Sequence, residues 1–153
     1  SRPMEKPLMR SIKVMTLLLL AGAFALPALA QQMERLGDYE VHYNTLNTNQ
    51  LSPDIASAYG IQRAGTQAML NITVLDASTR DPVEAEISAT ATNLTGQRRD
   101  IELRQIKDQG AIYHIGQFRI HEEESLNFDV KVKPEGHDGA PFELQFRQQF
   151  YTG

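Results

Sequence analysis

The sequence predicts an all-β fold: a seven-stranded antiparallel β-sandwich of immunoglobulin-like type with one short helix. Three observations predict it. Apolar and polar residues alternate with a period of two in segment after segment, because successive strand side chains point to opposite faces. Turn signals recur about every ten residues. Helical periodicity is confined to a single short stretch. Strand count alone leaves a small closed barrel as the alternative architecture.

The first strand runs through Tyr39, Val41 and Tyr43, which alternate with Glu40 and His42. One helical turn or two then interrupts the pattern over residues 52–59. Ser52 is a capping residue, Pro53 suits the first helical position, Asp54 faces the positive helix end and Gly60 supplies the stop. Ile55, Ala58 and Tyr59 form its expected packed side. The second strand carries Ala68, Leu70, Ile72 and Val74, with Met69 and Leu75 between them, a pattern that suits a central position.

The third strand, Val83 to Ala91, interleaves five apolar residues with Glu84, Glu86, Ser88 and Thr90. A fourth spans about Arg98 to Lys107 around Ile101 and Leu103, and the Asp108-Gln109-Gly110 turn leads into a fifth, Ala111 to Ile120. The fifth breaks phase: Tyr113 and Ile115 fall on one face, Phe118 and Ile120 on the other. A β-bulge at Gly116-Gln117 would realign all four inward and turn His114, Arg119 and His121 outward. The sixth strand, Leu126 to Lys133, and the seventh, Phe142 to Tyr151, alternate cleanly. Each presents one apolar and one wet face, as half-buried antiparallel strands do.

Ahead of this pattern, Met9 to Ala30 reads as a secretory signal peptide of bacterial type, a signal helix outside the fold. Arg10 and Lys13 precede an apolar run from Val14 to Leu26, and Pro27 stands before the small-residue tripeptide Ala28-Leu29-Ala30. A spanning helix needs about 20 apolar residues, whereas this run holds 13. No cysteine follows Ala30 to carry a lipid. The expectation is cleavage after Ala30, so that residues 1–30 are removed and residues 31–153 form one periplasmic domain without stable membrane insertion. Ser1 to Pro3 precede the first possible initiator, Met4, and are left out of the fold.

The whole chain carries a formal charge of −4, and residues 1–30 contribute +3 from Arg2, Lys6, Arg10 and Lys13 against Glu5, so residues 31–153 carry −7. Nucleic acid and anionic lipid call for a basic face and are excluded as expected partners. Without cysteine there are no disulfides, so stability must come from the core. The absence of tryptophan removes the commonest stacking platform for sugars.

Candidate chemistry is sparse. The four histidines are His42, His114, His121 and His137, and none lies in a His-x-His or His-x-x-x-His spacing. His114 and His121 are the candidate metal ligands, with Met33 or Met69 as added sulfur donors. They approach one another only if the fifth strand curls. Gln31-Gln32-Met33 lacks the third-position histidine of an amino-terminal copper motif. Glu122-Glu123-Glu124 reads as a solvated turn. No Gly-x-Ser-x-Gly elbow and no phosphate-cradling glycine motif occurs. Asn93-Leu94-Thr95 reads as a polar turn. The aromatic residues mostly occupy inward positions, except Tyr151 on the polar face of the last strand. No catalytic residue and no cofactor is expected.

Three segments together carry a family resemblance: Ala68-Met69-Leu70-Asn71-Ile72-Thr73-Val74, the stretch Ala89 to Gln97, and the ending Phe142 to Tyr151. They resemble the exported bacterial family called domain of unknown function 4426, over essentially all of residues 31–153. The resemblance implies an immunoglobulin-like fold in the periplasm and brings no activity or functional residue with it.

The first functional expectation is a non-enzymatic binding or protein-interaction module acting through an edge strand or end loop, with an envelope protein or small ligand as partner. The loop 134–141, punctuated by proline and glycine, is its expected mobile element. The second is a periplasmic copper carrier using His114 and His121. The third is a hydrolase acting through His121 and Glu124.

Overall fold

The computed structural model describes residues 31–153; the signal-peptide expectation for residues 1–30 lies outside the described residues. Among those described, nine strands run as β1 (Gln32–Leu36), β2 (Tyr39–Asn47), β3 (Gln67–Asp76), β4 (Ala85–Asn93), β5 (Arg98–Ile101), β6 (Arg104–Asp108), β7 (Ala111–Arg119), β8 (Glu124–Pro134) and β9 (Phe142–Phe150). The first sheet has the order β1-β2-β3-β7-β6 and the second β5-β4-β8-β9, with every pairing antiparallel. The sandwich expected from alternation is therefore present, with two strands more than the seven anticipated.

Both additions have physical causes. β1 went unseen because Gln32-Met33-Glu34-Arg35-Leu36 has no apolar face, and only Leu36 escapes full exposure. The expected fourth strand is two strands in different sheets. β5 pairs with β4, β6 pairs with β7, and Glu102-Leu103 carries the chain across the sandwich. Ile101 and Leu103 both contact the core, so their alternation continues through the switch and hides it.

The bulge expected at Gly116-Gln117 does not occur. β3 pairs with β7 without interruption from Gln67↔Arg119 to Ile72↔His114. Both faces of β7 are buried, so no realignment is needed. Phe118 and Ile120 enter the main core between the sheets. Ile115, 1 % exposed, lies on the outer face under a second apolar layer formed with Ala56, Ile61 and Met69. His114 consequently points inward, not outward. Gly116 serves a different purpose: a Cβ there would lie 2.6 Å from the Glu102 carbonyl oxygen and 2.7 Å from Ile101 Cγ2. The glycine permits the sheet-switching segment to press against β7.

The second layer is carried by the connection between β2 and β3. Helix α1 (Pro53–Ala58) begins at Ser52, whose Oγ accepts the Ile55 N–H at 3.2 Å, and ends before Gly60 at φ +67°. Its packed residue is Ala56, while Ile55 is 47 % exposed and Ala58 is exposed, contrary to expectation; Tyr59 is half-buried. A six-residue helix meets the sheet with little more than one side chain, and Ala56 and Ile61 take that place together. Buried Thr48 pins the connection by donating to the Ala64 carbonyl at 3.1 Å and accepting the Ala64 N–H at 2.9 Å.

One end of the sandwich is tied by Glu124. Arg99 binds its carboxylate in bidentate fashion at 2.8 and 2.6 Å, Asn93 Nδ2 donates at 3.0 Å, and the His121 backbone N–H donates at 3.0 Å. The residue expected in a solvated turn is thus 8 % exposed at its side chain and opens β8. The cause is that β4, β5 and the β7–β8 turn bring donors from three residues to one carboxylate at the start of β8. The Arg99 hydrogen bonds, with those from Asn93 and His121, outweigh desolvation and hold its pKa at about 2, well below the ordinary 4.5. Glu122 accepts from the Thr152 N–H and hydroxyl, each at 3.2 Å, and so fixes the C-terminal residues.

Two outcomes are expected. Gly116→Ala should cost about 2–3 kcal/mol, read as a lower urea midpoint at unchanged slope, because the new methyl group meets a backbone oxygen rather than a movable side-chain end. The Glu124 ties favour the ionised form, so their stability contribution is complete above about pH 4.5 and declines as pH falls toward 2. Glu124→Gln should cost about 2 kcal/mol at neutral pH and flatten that acid limb of the stability curve, since it leaves Arg99 buried beside an uncharged partner.

Candidate functional site

The structure does not bring the two candidate metal ligands together. His114 is 3 % exposed, and its Nδ1–H donates to the Ile72 carbonyl at 3.1 Å, while Nε2 has no hydrogen-bond partner. Burial lowers its pKa below the ordinary histidine value, so the ring is neutral at physiological pH. His121 is exposed beyond the end of β7. Seven residues of extended chain separate the two by about 20 Å. Met69 is buried in the second apolar layer.

The other histidines are engaged locally. His42 Nε2 lies 3.2 Å from Glu40 Oε1, and the same oxygen takes Arg80 Nη1 at 3.1 Å. Met33, 53 % exposed, is the cross-strand neighbour of His42 on that outer face. His137 stacks on Phe142 with ring centroids 4.4 Å apart, and its Nε2–H donates to the Ala140 carbonyl at 3.0 Å. Those contacts tie the loop 134–141 to the start of β9. Among the described residues, no group of three or more His, Cys, Asp or Glu side chains is placed to hold a metal ion. Glu124 has both carboxylate oxygens occupied by donors. Asn93 closes the β4–β5 turn by accepting the Thr95 and Gln97 N–H groups, as its polar-turn pattern implies. Tyr151 is exposed, and its carbonyl accepts Asn47 Nδ2 at 2.6 Å.

The arrangement with binding potential lies at an edge. β9 pairs with β8 through nine consecutive residues, from Glu124↔Phe150 to Val132↔Phe142, without bulge or proline. It ends its sheet, so the backbone groups on its other side have no strand partner within the sheet. Natural edges are blunted by proline, bulges, short length or charged side chains; β9 carries none of the first three and has Glu143 and Arg147 as its charged residues.

Above this edge the first sheet extends one strand further. Tyr39 and Tyr43 of β2 contact Phe142 and Phe146 of β9, at centroid distances of 6.2 and 4.6 Å. β1 therefore lies beyond β9. The side chains of Gln32 and Glu34 share the inner face with their partners Tyr43 and Val41. Tyr43 and Val41 are buried, whereas Gln32 and Glu34 are exposed; the cover from the second sheet reaches β1 only at Leu36, which packs on the main core, and Gln32 and Glu34 project past it. Beside the space left below Gln32 and Glu34, the inner face of β9 presents half-buried Phe146 and exposed Gln148. Phe146 is held in place by Phe128, stacked at 4.5 Å with its plane 6° away. Burial raises the Tyr43 hydroxyl pKa, and the nearby Glu34 carboxylate adds to the effect. Sequence patterning marks the alternation of β9 but carries no signal for the overhang, because β1 looks like a polar linker.

A family model for a domain of unknown function, DUF4426, matches residues 33–153. A crystal structure of a DUF4426 family protein from Pseudomonas aeruginosa is similar at 34 % identity and a TM-score of 0.71, covering 80 % of this chain and 96 % of that one. A copper-bound variant of FetP from uropathogenic Escherichia coli aligns at 12 % identity and a TM-score of 0.60, over 79 % of this chain and 95 % of FetP. FetP as isolated, recombinantly expressed in the periplasm of E. coli, gives 12 % and 0.57, over 80 % and 94 %. At that identity the likeness to FetP is one of fold alone. No curated protein sequence matches the chain. The family model spans all nine strands except the first residue of β1, the Pseudomonas relative repeats the fold at substantial identity, and the chain belongs to the DUF4426 family.

Proposed function

We propose that this protein is an exported, non-catalytic binding module that takes up an extended segment of a partner as an added strand on β9. The observation that carries this reading is the unbroken nine-residue edge, free of proline and bulge, beside the β1 overhang. Strand addition supplies main-chain hydrogen bonds along such an edge, and alternate side chains supply selectivity. The Met9 to Ala30 pattern supports export. Support for a non-catalytic role comes from the occupied Glu124 carboxylate, the buried His114 ring and the exposed, isolated His121.

Peptides of about β9's length with alternating apolar and polar residues test this by amide chemical-shift mapping on the labelled protein. The largest shifts are expected on β9 and β1, with new exchange protection at the β9 amides directed away from β8. Shifts concentrated elsewhere on the surface sink the proposal. So does an isolated monomer in which every β9 amide is already protected.

A copper carrier is a second reading, supported by two observations. The fold resembles that of FetP, seen bound to copper, and Met33 stands across from His42 with Glu40 adjacent. A thioether and an imidazole suit copper, although Arg80 competes for Glu40. Calorimetric titration with Cu(I) and Cu(II) decides it. Binding lost in both Met33→Ala and His42→Ala supports the carrier, and heats no larger than dilution dismiss it.

A further inference from the structure

We infer that the segment accepted by β9 is a single strand of a different protein, apolar at alternate positions and bearing a lysine or arginine that faces Glu34. This rests on the strand-addition reading and specifies the occupant. Two features of the open side define it.

The first is width. The overhang extends one strand beyond β9, and neighbouring strands lie about 4.8 Å apart. One added strand matches that width along Gln32 to Glu34, where the inner face of β1 is uncovered, and stops short of Leu36, which packs on the core. A second copy joined symmetrically, β9 to β9, does not. It would bring its own β1 over this β9, where Tyr39 and Tyr43 of β2 already rest on Phe142 and Phe146. The overhang thus admits a strand and obstructs a self-paired sandwich, in the manner by which edges are protected against self-association.

The second is chemistry. A strand in this place would present alternate side chains upward, toward Gln32 and Glu34 and beside Phe146 and Gln148 of β9. Phe146 is half-buried and rooted on Phe128, which offers an apolar contact. Glu34 is exposed, and among the described residues it has no ion pair. Burying it under an uncharged strand would cost its hydration without return, whereas a cation restores a partner. The −7 charge of residues 31–153 favours encounter with a basic segment in the same sense. On the opposite face β9 carries Glu143 and Arg147, which balance one another and impose no charge requirement.

The test uses three fluorescent peptides of β9's length, alternating in pattern, with Lys, Gln or Glu at the central inward position. Each is titrated against the purified protein, with amide mapping to locate the site. The Lys peptide is expected to bind about tenfold more tightly than the Gln peptide, with the Glu peptide weakest and added salt narrowing the spread. Glu34→Lys should reverse the order, and Glu143→Lys on the opposite face should leave it unchanged. Equal affinities for three peptides that all map to β9 overturn this inference while strand addition stands. Absence of peptide binding at β9 overturns both. A concentration-dependent dimer in ultracentrifugation, with β9 amides protected in the dimer, overturns the choice of a foreign strand.

Discussion

Between Ile101 and Arg104 the chain leaves one sheet and joins the other, passing over the bare backbone of Gly116. That passage places Ile101 and Leu103 in the core, brings β5 against β7 and joins the two sheets covalently along one side. The opposite side has no such crossover. There β1 and β9 end their sheets independently, so the sandwich has one closed side and one open side. The open side exists because the closing segment is used elsewhere.

Closure on one side also shapes the first sheet into a middle layer. Its inner face packs on the second sheet through Val41, Leu70, Ile72 and Phe118, and part of its outer face packs under α1 through Met69 and Ile115. A sheet buried on both faces is stiff, and the strands at its centre tolerate neither a bulge nor a shift in register. That two-sided burial is absent at β1, which is exposed except at Leu36 and pairs with β2 alone. At one end of the sandwich Glu124 and Glu122 hold the turns and the C-terminal residues. At the other, His137 stacks on Phe142, and that contact secures the loop 134–141, expected to be the mobile element, to the base of the open edge.

Several elements were legible in advance for a clear reason. β2, β4, β8 and β9 bury chiefly one face, and alternation is the direct imprint of one-sided burial; β3 keeps the alternation, with Met69 marking its second buried face. The Ser52 cap and the Gly60 stop were equally legible, since both follow from local backbone geometry. β7 misled because two-sided burial erases alternation, and a bulge and a second apolar layer leave the same trace in sequence. Ile55 misled because helical position alone does not say which side of a short helix meets the sheet. The histidine pair failed on distance, and Glu124 was mistaken because a run of three glutamates says nothing about Arg99 and Asn93 arriving from other strands.

By itself the sequence determined the class: an acidic, cysteine-free β-sandwich with an export pattern ahead of it and no catalytic motif. Those properties depend on composition and on neighbours within a few residues. Only the tertiary structure decided where the chain changes sheets, which face of β7 holds His114, and that β1 projects beyond β9. Each is settled by contact between residues far apart in the chain, and polar Gln32 to Arg35 form a strand only because β2 offers its free edge. The overhang beside the β9 edge is a product of that pairing, which no local pattern in β1 encodes.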